Sequence, residues 1–192
     1  MNVAAGAGDM YRIFITGPIM NTPEDVANFM RDRSLLLVTA ESCTAGLIAA
    51  TLADIPGAGQ LLDCAFVVYS PEAKQRCLGV RKQTIEQYNL TSEEVAREMA
   101  TGALAHSRAN VSISNTGVTD NSDASIPAGT QCFAWAFEAG STGSELFLFS
   151  ESRRFSGDRN SIRQASAEYA LQRIPHYFAM LSEQGGTGAA NS

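Results

Sequence analysis

The stretch Thr39-Ala40-Glu41-Ser42-Cys43-Thr44-Ala45-Gly46 sits between the apolar run Ser34-Leu35-Leu36-Leu37-Val38 and the segment Leu47-Ile48-Ala49-Ala50-Thr51-Leu52-Ala53. The Leu/Val content of the first run, and the polar cluster behind it, predict a buried strand; the second segment reads as helix. A strand that turns tightly into a helix aims backbone N–H groups and hydroxyls at an incoming anion. It can equally expose a serine for nucleophilic attack. Ser42 and Thr44 are each suited to be the N-cap, where the helix dipole favours negative charge. Read locally, these hydroxyls fit a helix cap better than a catalytic site.

Upstream, Thr22-Pro23-Glu24-Asp25 has the cap, first-turn proline and acidic residues of a helix start, with Val26, Phe29 and Met30 as its apolar face. Residues 1 to 9 are small and glycine-rich and are expected to be mobile. Arg12 to Pro18 suits an extended arm. Downstream, Ile55-Pro56-Gly57-Ala58-Gly59 breaks the chain, and Cys64 to Tyr69 is the second strand candidate. Ser70-Pro71-Glu72 caps and starts a short helix ending near Gly79. Thr91-Ser92-Glu93-Glu94 reads as a capping box ahead of a helix whose face carries Val95, Met99, Gly102 and Ala103.

Val111 to Ser114 is a third short strand, running into a polar loop from Asn115 to Ser125. Gln131 to Phe137 and Glu145 to Ser152 read as strands joined through Gly140-Ser141-Thr142-Gly143 as an antiparallel hairpin. Asp158 can cap a last helix carrying Ile162, Ala165, Tyr169, Ala170, Ile174, Tyr177, Phe178 and Leu181 at helical spacing, with a kink or break before Pro175. Helices among strands indicate an α/β fold, its sheet mixed because of the late hairpin and made of about five or six strands. The expected division is an N-terminal extension over 1–21, one domain over 22–182 and a disordered tail over 183–192.

At 192 residues the chain is long enough for a sizeable core, and 45% hydrophobic against 18% charged residues mark it as globular. The formal net charge of −6 argues against general binding to nucleic acid or membrane. Cys43, Cys64, Cys77 and Cys132 are scattered, with only His106 and His176 to join them. That argues against a zinc site and for reduced thiols in a cytoplasmic protein. No apolar run is long enough to cross a bilayer, and the N-terminus lacks the pattern of a signal peptide.

Four stretches in order resemble one family. Ala40-Glu41-Ser42-Cys43-Thr44-Ala45-Gly46 is similar to the signature of the CinA C-terminal domain family, the PncC-type nicotinamide mononucleotide amidases. Val68-Tyr69-Ser70-Pro71-Glu72-Ala73-Lys74, Pro127-Ala128-Gly129-Thr130, and Phe155-Ser156-Gly157-Asp158-Arg159 with Arg163 resemble its further motifs. The likeness covers roughly residues 26 to 178. It implies a three-layer α/β/α fold, with the ligand at the carboxyl ends of the strands. It also implies a serine amidase that takes nicotinamide mononucleotide to nicotinate mononucleotide and ammonia through an acyl-enzyme, with no metal or organic cofactor. A homodimer would be common for such a domain.

Within that reading Ser42 is the nucleophile and Lys74 the base, since neither histidine lies in a matching motif. A lysine in the first turn of a helix, partly buried, is disfavoured as an ammonium; the alternative is an ordinary solvated lysine. Tyr69 could relay the proton or orient Ser42, or be a plain half-buried tyrosine. The N–H groups of Cys43 and Thr44 could form the oxyanion hole. Glu41 either holds the turn or binds ribose hydroxyls. Arg159 could bind phosphate together with the hydroxyls of Thr44 and Thr116, or remain a solvated arginine beside Asp158.

The chain departs from the family at two places. Ala45 stands where the family has glycine, and Ser114-Asn115-Thr116-Gly117-Val118-Thr119-Asp120 stands where it has Ser-Gly-Ile-Ala-Gly-Pro. Asn115, Thr116 and Gly117 are thereby placed at the substrate, and the altered loop leaves room for two other readings. One is a non-catalytic pyridine-nucleotide-binding relative. The other is a serine amidase of the same fold with a different substrate.

Overall fold

The structure is a computed structural model, and it describes residues 22–121, 123–139 and 145–185, the side chains of 182–185 excepted. The sequence expectations for residues 1–21, for the link 140–143 and for the tail beyond residue 185 lie outside these residues. Five strands form one mixed sheet in the order β2-β1-β3-β4-β5. β1 (Leu37–Glu41) pairs in parallel with β2 (Leu62–Val67) and β3 (Val111–Gly117). β4 (Thr130–Ala139) is antiparallel to β3, and β5 (Glu145–Arg154) to β4. Helices cover both faces, giving the three-layer α/β/α arrangement.

Alternation along β4 explains the two layers. Phe133, Trp135 and Phe137 point to one face, where they pack with α1 (Pro23–Asp32), α2 (Leu47–Ala53), α6 (Arg159–Gln172) and α7 (Ile174–Gly185). Burying each of these rings contributes roughly 1.5–3 kcal/mol or more. The Trp135 indole N–H is satisfied by the Ala170 carbonyl at 2.9 Å. Cys132, Ala134 and Ala136 point the other way, toward α5 (Glu93–Ala105), whose own face is Val95, Ala96, Met99, Ala100 and Ala103. Small residues on both sides let the helix lie close to the sheet. The hydroxyls of Ser112 and Ser114 donate to the Ala100 and Ala96 carbonyls at 2.9 and 2.6 Å. Gly102 is required where α5 meets the end of α3 (Pro71–Leu78): a Cβ there would come within 2.0 Å of the Leu78 carbonyl oxygen.

Local signals placed several boundaries well. Thr22 and Asp25 form a capping box at α1. Ser70, Pro71 and Gly79 bound α3, and Asp158 caps α6 through the Ser161 N–H. The chain breaks between Gln172 and Ile174, just ahead of Pro175. Ser92 caps α5 through the Val95 N–H; because valine then stands at N3, the capping box expected over Thr91–Glu94 does not form.

Three differences have physical causes. Helix α4 (Lys82–Tyr88) carries only Ile85 and Tyr88 as apolar residues and has no side-chain cap, and periodicity did not reveal it. Strand β3 continues through Asn115, Thr116 and Gly117, which the sequence reading placed in a loop. They pair with Phe133, Cys132 and Gln131 of β4, and their polar side chains are satisfied from other elements. Helix α2 has Gly46 as its N-cap residue, which has no side chain to cap with, and its first N–H groups go to the Glu41 carboxylate, so neither Ser42 nor Thr44 fills that role.

Among the described residues no helix is long and apolar enough to cross a membrane, and no group of three or more His, Cys, Asp or Glu is placed to hold a metal ion.

Candidate active site

The carboxyl ends of β1, β2 and β3 lie side by side and open into a cleft of about 230 Å³. Its walls include Ser42, Cys43, Tyr69, Lys74, Thr116 and Gly117, with Val118 and Asp123 from the loop after β3. Asn89, Leu90 and Thr91 close another side. The Asp123 carboxyl accepts from Ser125 and from Asn89 Nδ2, and these bonds hold its pKa below the usual carboxylate range. A larger hollow beside residues 53–62 shares no wall with this cleft.

Lys74 occupies the floor. It is 1% exposed, although it sits in the first turns of α3. Its Nζ contacts three oxygens: Ser42 Oγ at 2.8 Å, the Val68 carbonyl at 2.8 Å and the Tyr69 carbonyl at 3.2 Å. None of the ion pairs among the described residues includes it. Burial therefore drives its pKa down from 10.5 to about 8. Two carbonyls and a hydroxyl suit a lysine that changes protonation. As ammonium it donates to all three; as amine it keeps the two carbonyls and turns its lone pair to the serine hydroxyl.

The turn bearing Ser42 is fixed from three sides. The Glu41 side chain is fully buried and caps α2 from the preceding strand. Its Oε2 accepts from the N–H groups of Gly46 and Ile48, and its Oε1 from Ala49 N–H and the Thr39 hydroxyl, all at 2.8–3.1 Å. Of the two roles open to Glu41, the structure displays the one that holds the turn. On the second side, Arg163 donates to the carbonyls of Cys43 and Thr44 at 3.0 Å each. On the third, Asn115 takes the Ser42 N–H on its backbone carbonyl at 2.9 Å and the Thr44 N–H on its Oδ1 at 3.0 Å.

That last bond bears on the expected oxyanion hole, because the Thr44 N–H is already engaged. The Thr44 hydroxyl is buried with no hydrogen-bond partner. The Thr116 hydroxyl donates to the Leu90 carbonyl at 2.8 Å. Burial pushes the Cys43 thiol pKa up, which disfavours a thiolate beside Ser42.

Tyr69 contributes its carbonyl to Lys74, while its side chain is 58% exposed. Its hydroxyl accepts from Arg159 at 2.9 Å, and the same guanidinium donates to Thr119 Oγ1 at 2.8 Å and Asp120 at 3.4 Å. The structure thus brings Ser42, Cys43, Lys74 and Gly117 together at the cleft, and sets Tyr69 with Arg159 in a bridge at its mouth. Sequence reasoning missed Gln131, a fully buried amide on β4 that bonds to Asn115. Its only signal was a polar residue at the head of the apolar run Cys132 to Phe137.

A buried lysine bonded to a serine thus lies at the carboxyl ends of parallel strands in an α/β/α sandwich, where ligands of such folds bind. The model of the CinA C-terminal domain matches residues 20–178, and the chain belongs to that family. It is 38% identical over 162 residues to a protein of Shigella flexneri named nicotinamide-nucleotide amidohydrolase PncC, covering 83% of this chain and 94% of that one. It is 36% identical over 159 residues to a putative competence-damage inducible protein of Symbiobacterium thermophilum; there the match takes 81% of this chain but only 37% of the relative. Among solved structures, the competence damage-inducible protein A of Klebsiella pneumoniae superposes with a TM-score of 0.74 at 30% identity, covering 83% of this chain and 98% of that one.

Proposed function

We propose that the protein hydrolyses the carboxamide of nicotinamide mononucleotide, with Ser42 as nucleophile and Lys74 as its base. The observation that carries this reading is the 2.8 Å contact between Ser42 Oγ and a lysine whose pKa burial lowers to about 8, so that its neutral amine is accessible near physiological pH. The name of the Shigella flexneri relative supports the substrate.

In this reaction the Lys74 amine takes the hydroxyl proton as Ser42 Oγ bonds to the amide carbon. The carbonyl oxygen becomes an oxyanion, for which the Cys43 N–H is the adjacent backbone donor now that the Thr44 N–H is engaged. Collapse of the tetrahedral intermediate breaks the C–N bond, and the Lys74 ammonium returns its proton to the departing nitrogen, releasing ammonia. Water then enters; Lys74 removes its proton and the oxygen attacks the ester. The ester C–O bond breaks, the Lys74 ammonium returns its proton to Ser42, and the acid gives up its remaining proton to solvent and leaves as the carboxylate.

The test is release of ammonia and nicotinate mononucleotide from nicotinamide mononucleotide by the purified protein. Ser42→Ala should lower the rate by several orders of magnitude while leaving ligand affinity within about tenfold. Binding without turnover in the wild type would identify a non-catalytic nucleotide-binding relative instead. Absence of binding would overturn both nucleotide readings.

A further inference from the structure

The buried amides of Asn115 and Gln131 form a chain whose direction is set at both ends. At one end the Thr44 N–H, which can only donate, meets Asn115 Oδ1 at 3.0 Å. That assignment turns Asn115 Nδ2 toward Gln131 Oε1, which it reaches at 3.0 Å. Gln131 Nε2 then faces the Val118 carbonyl at 3.0 Å, a group that can only accept. The same Nε2 lies 3.3 Å from Cys43 Sγ. Both side chains are fully buried, so water cannot substitute for a lost partner. Gly117 leaves the space: a Cβ at that position would lie 2.5 Å from Gln131 Cδ.

We propose that Gln131 is a positioning residue for the nucleophile turn, acting through Asn115. Resting on the reading of Ser42 as nucleophile, it assigns a role in the reaction to a residue outside the family motifs. Without the Gln131 amide, Asn115 Nδ2 loses its acceptor, and the orientation that gives Asn115 oxygen to Thr44 rests on the Thr44 N–H alone. A flipped Asn115 would set an NH2 group against the Thr44 N–H, two donors face to face. The turn would then lose one of its anchors beside Ser42. The other end of the chain is the Val118 carbonyl, so the same amides tie the nucleophile turn to the loop that walls the cleft.

Two substitutions separate this role from simple packing. Gln131→Met keeps length and approximate volume but removes both polar ends. It should lower kcat by about 10- to 100-fold, since displacement of a reacting group by 1 Å can cost that much, while KM stays within about threefold. Gln131→Glu is expected to behave differently, because a carboxyl in this buried place is held in its neutral form. Its carbonyl can accept from Asn115 and its O–H can donate to Val118, reproducing the chain. Activity should therefore survive near neutral pH and fall when the acid ionises, adding a descending limb to the pH profile that the wild type lacks.

Amide hydrogen exchange at Thr44 supplies a readout that needs no turnover. Gln131→Met should speed exchange there more than at buried amides of α6, and Gln131→Glu should not. The proposal is overturned if Gln131→Met leaves kcat within about twofold of wild type. It is equally overturned if both variants lose activity alike with no new limb, or if Thr44 exchange is unchanged. Should Gln131→Met not fold, the pH profile and Thr44 exchange of Gln131→Glu decide alone: no descending limb, or faster exchange, overturns the proposal. If the wild type releases no ammonia, faster exchange at Thr44 in Gln131→Met still upholds the anchoring of the turn, and only the amidase reading falls.

Discussion

Lys74 Nζ meets Ser42 Oγ at 2.8 Å across 32 positions of sequence, at the ends of two neighbouring parallel strands. Parallel pairing of β1 and β2 brings the turn after one beside the helix after the other, and the lysine reaches inward because Val68 and Tyr69 offer carbonyls there. With burial drawing its pKa to about 8, a base at this place predicts a rate that climbs with pH and levels off above about 8. Lys74→Met should lower the rate by several orders of magnitude and remove that limb. A pH–rate profile of the variant that kept the wild-type midpoint would exclude Lys74 as the base.

The same burial has a consequence for stability. The folded pKa of Lys74 lies below its unfolded value of 10.5, so between about 8 and 10.5 the unfolded chain binds more protons than the folded one. Stability contributed by this group therefore rises with pH through that window, and is penalised below it. Lys74→Met has no such titration. Denaturant unfolding of both proteins at pH 7.5 and 10.5 should show the wild type gaining relative to the variant, by up to about 3 kcal/mol. An unchanged difference would show that the lysine is not desolvated in solution.

How much of this was legible follows from how local each cause is. Ser70, Pro71 and Gly79 bound α3 through bonds spanning a few residues, and their types alone announced it. Thr22 and Asp25 did the same for α1. Glu41 was ambiguous because it caps α2 from the strand before the turn, reaching N–H groups five to eight residues ahead. Asn115 and Thr116 read as loop because polarity signals exposure, yet both are buried in β3 with partners on the Ser42 turn, on β4 and at Leu90. Ser42, Tyr69 and Lys74 were singled out by resemblance to family motifs. No periodicity or spacing in the chain encodes the contact between Ser42 and Lys74.

Ala45 carries a cost of its own. Its φ is +51°, followed by Gly46 at +95°, so two successive residues of the turn adopt left-handed backbone. For alanine that conformation costs roughly 1–2 kcal/mol, part of which a glycine would return as greater freedom of the unfolded chain. Ala45→Gly should therefore stabilise the protein by about 0.5–1 kcal/mol, raising Tm by roughly 1–4 °C. The hydrogen bonds of Glu41 and Arg163 to the turn involve backbone atoms and survive the change. A lower Tm in a thermal melt would mean that the turn is not strained at this residue.

Tyr69 and Arg159 allow the roles of binding and chemistry to be separated. The Tyr69 hydroxyl is bonded to the Arg159 guanidinium at 2.9 Å, not to Ser42, and the side chain is more than half exposed. Arg159 is itself held by Thr119 and Asp120, so its charge is fixed at the mouth of the cleft rather than at the reacting atoms. A guanidinium in that place suits the phosphate of a nucleotide whose carboxamide reaches Ser42. Arg159→Ala should therefore raise KM for nicotinamide mononucleotide by about tenfold or more with kcat little changed. For nicotinamide riboside, which lacks the phosphate, the same substitution should leave KM unchanged. Tyr69→Phe removes one acceptor from Arg159 but keeps the carbonyl that Lys74 uses, so its effect should follow Arg159→Ala at reduced size. A collapse of kcat in Tyr69→Phe at constant KM would instead place the phenol in the proton path. Equal losses by Arg159→Ala on the nucleotide and the nucleoside would remove the phosphate from its role.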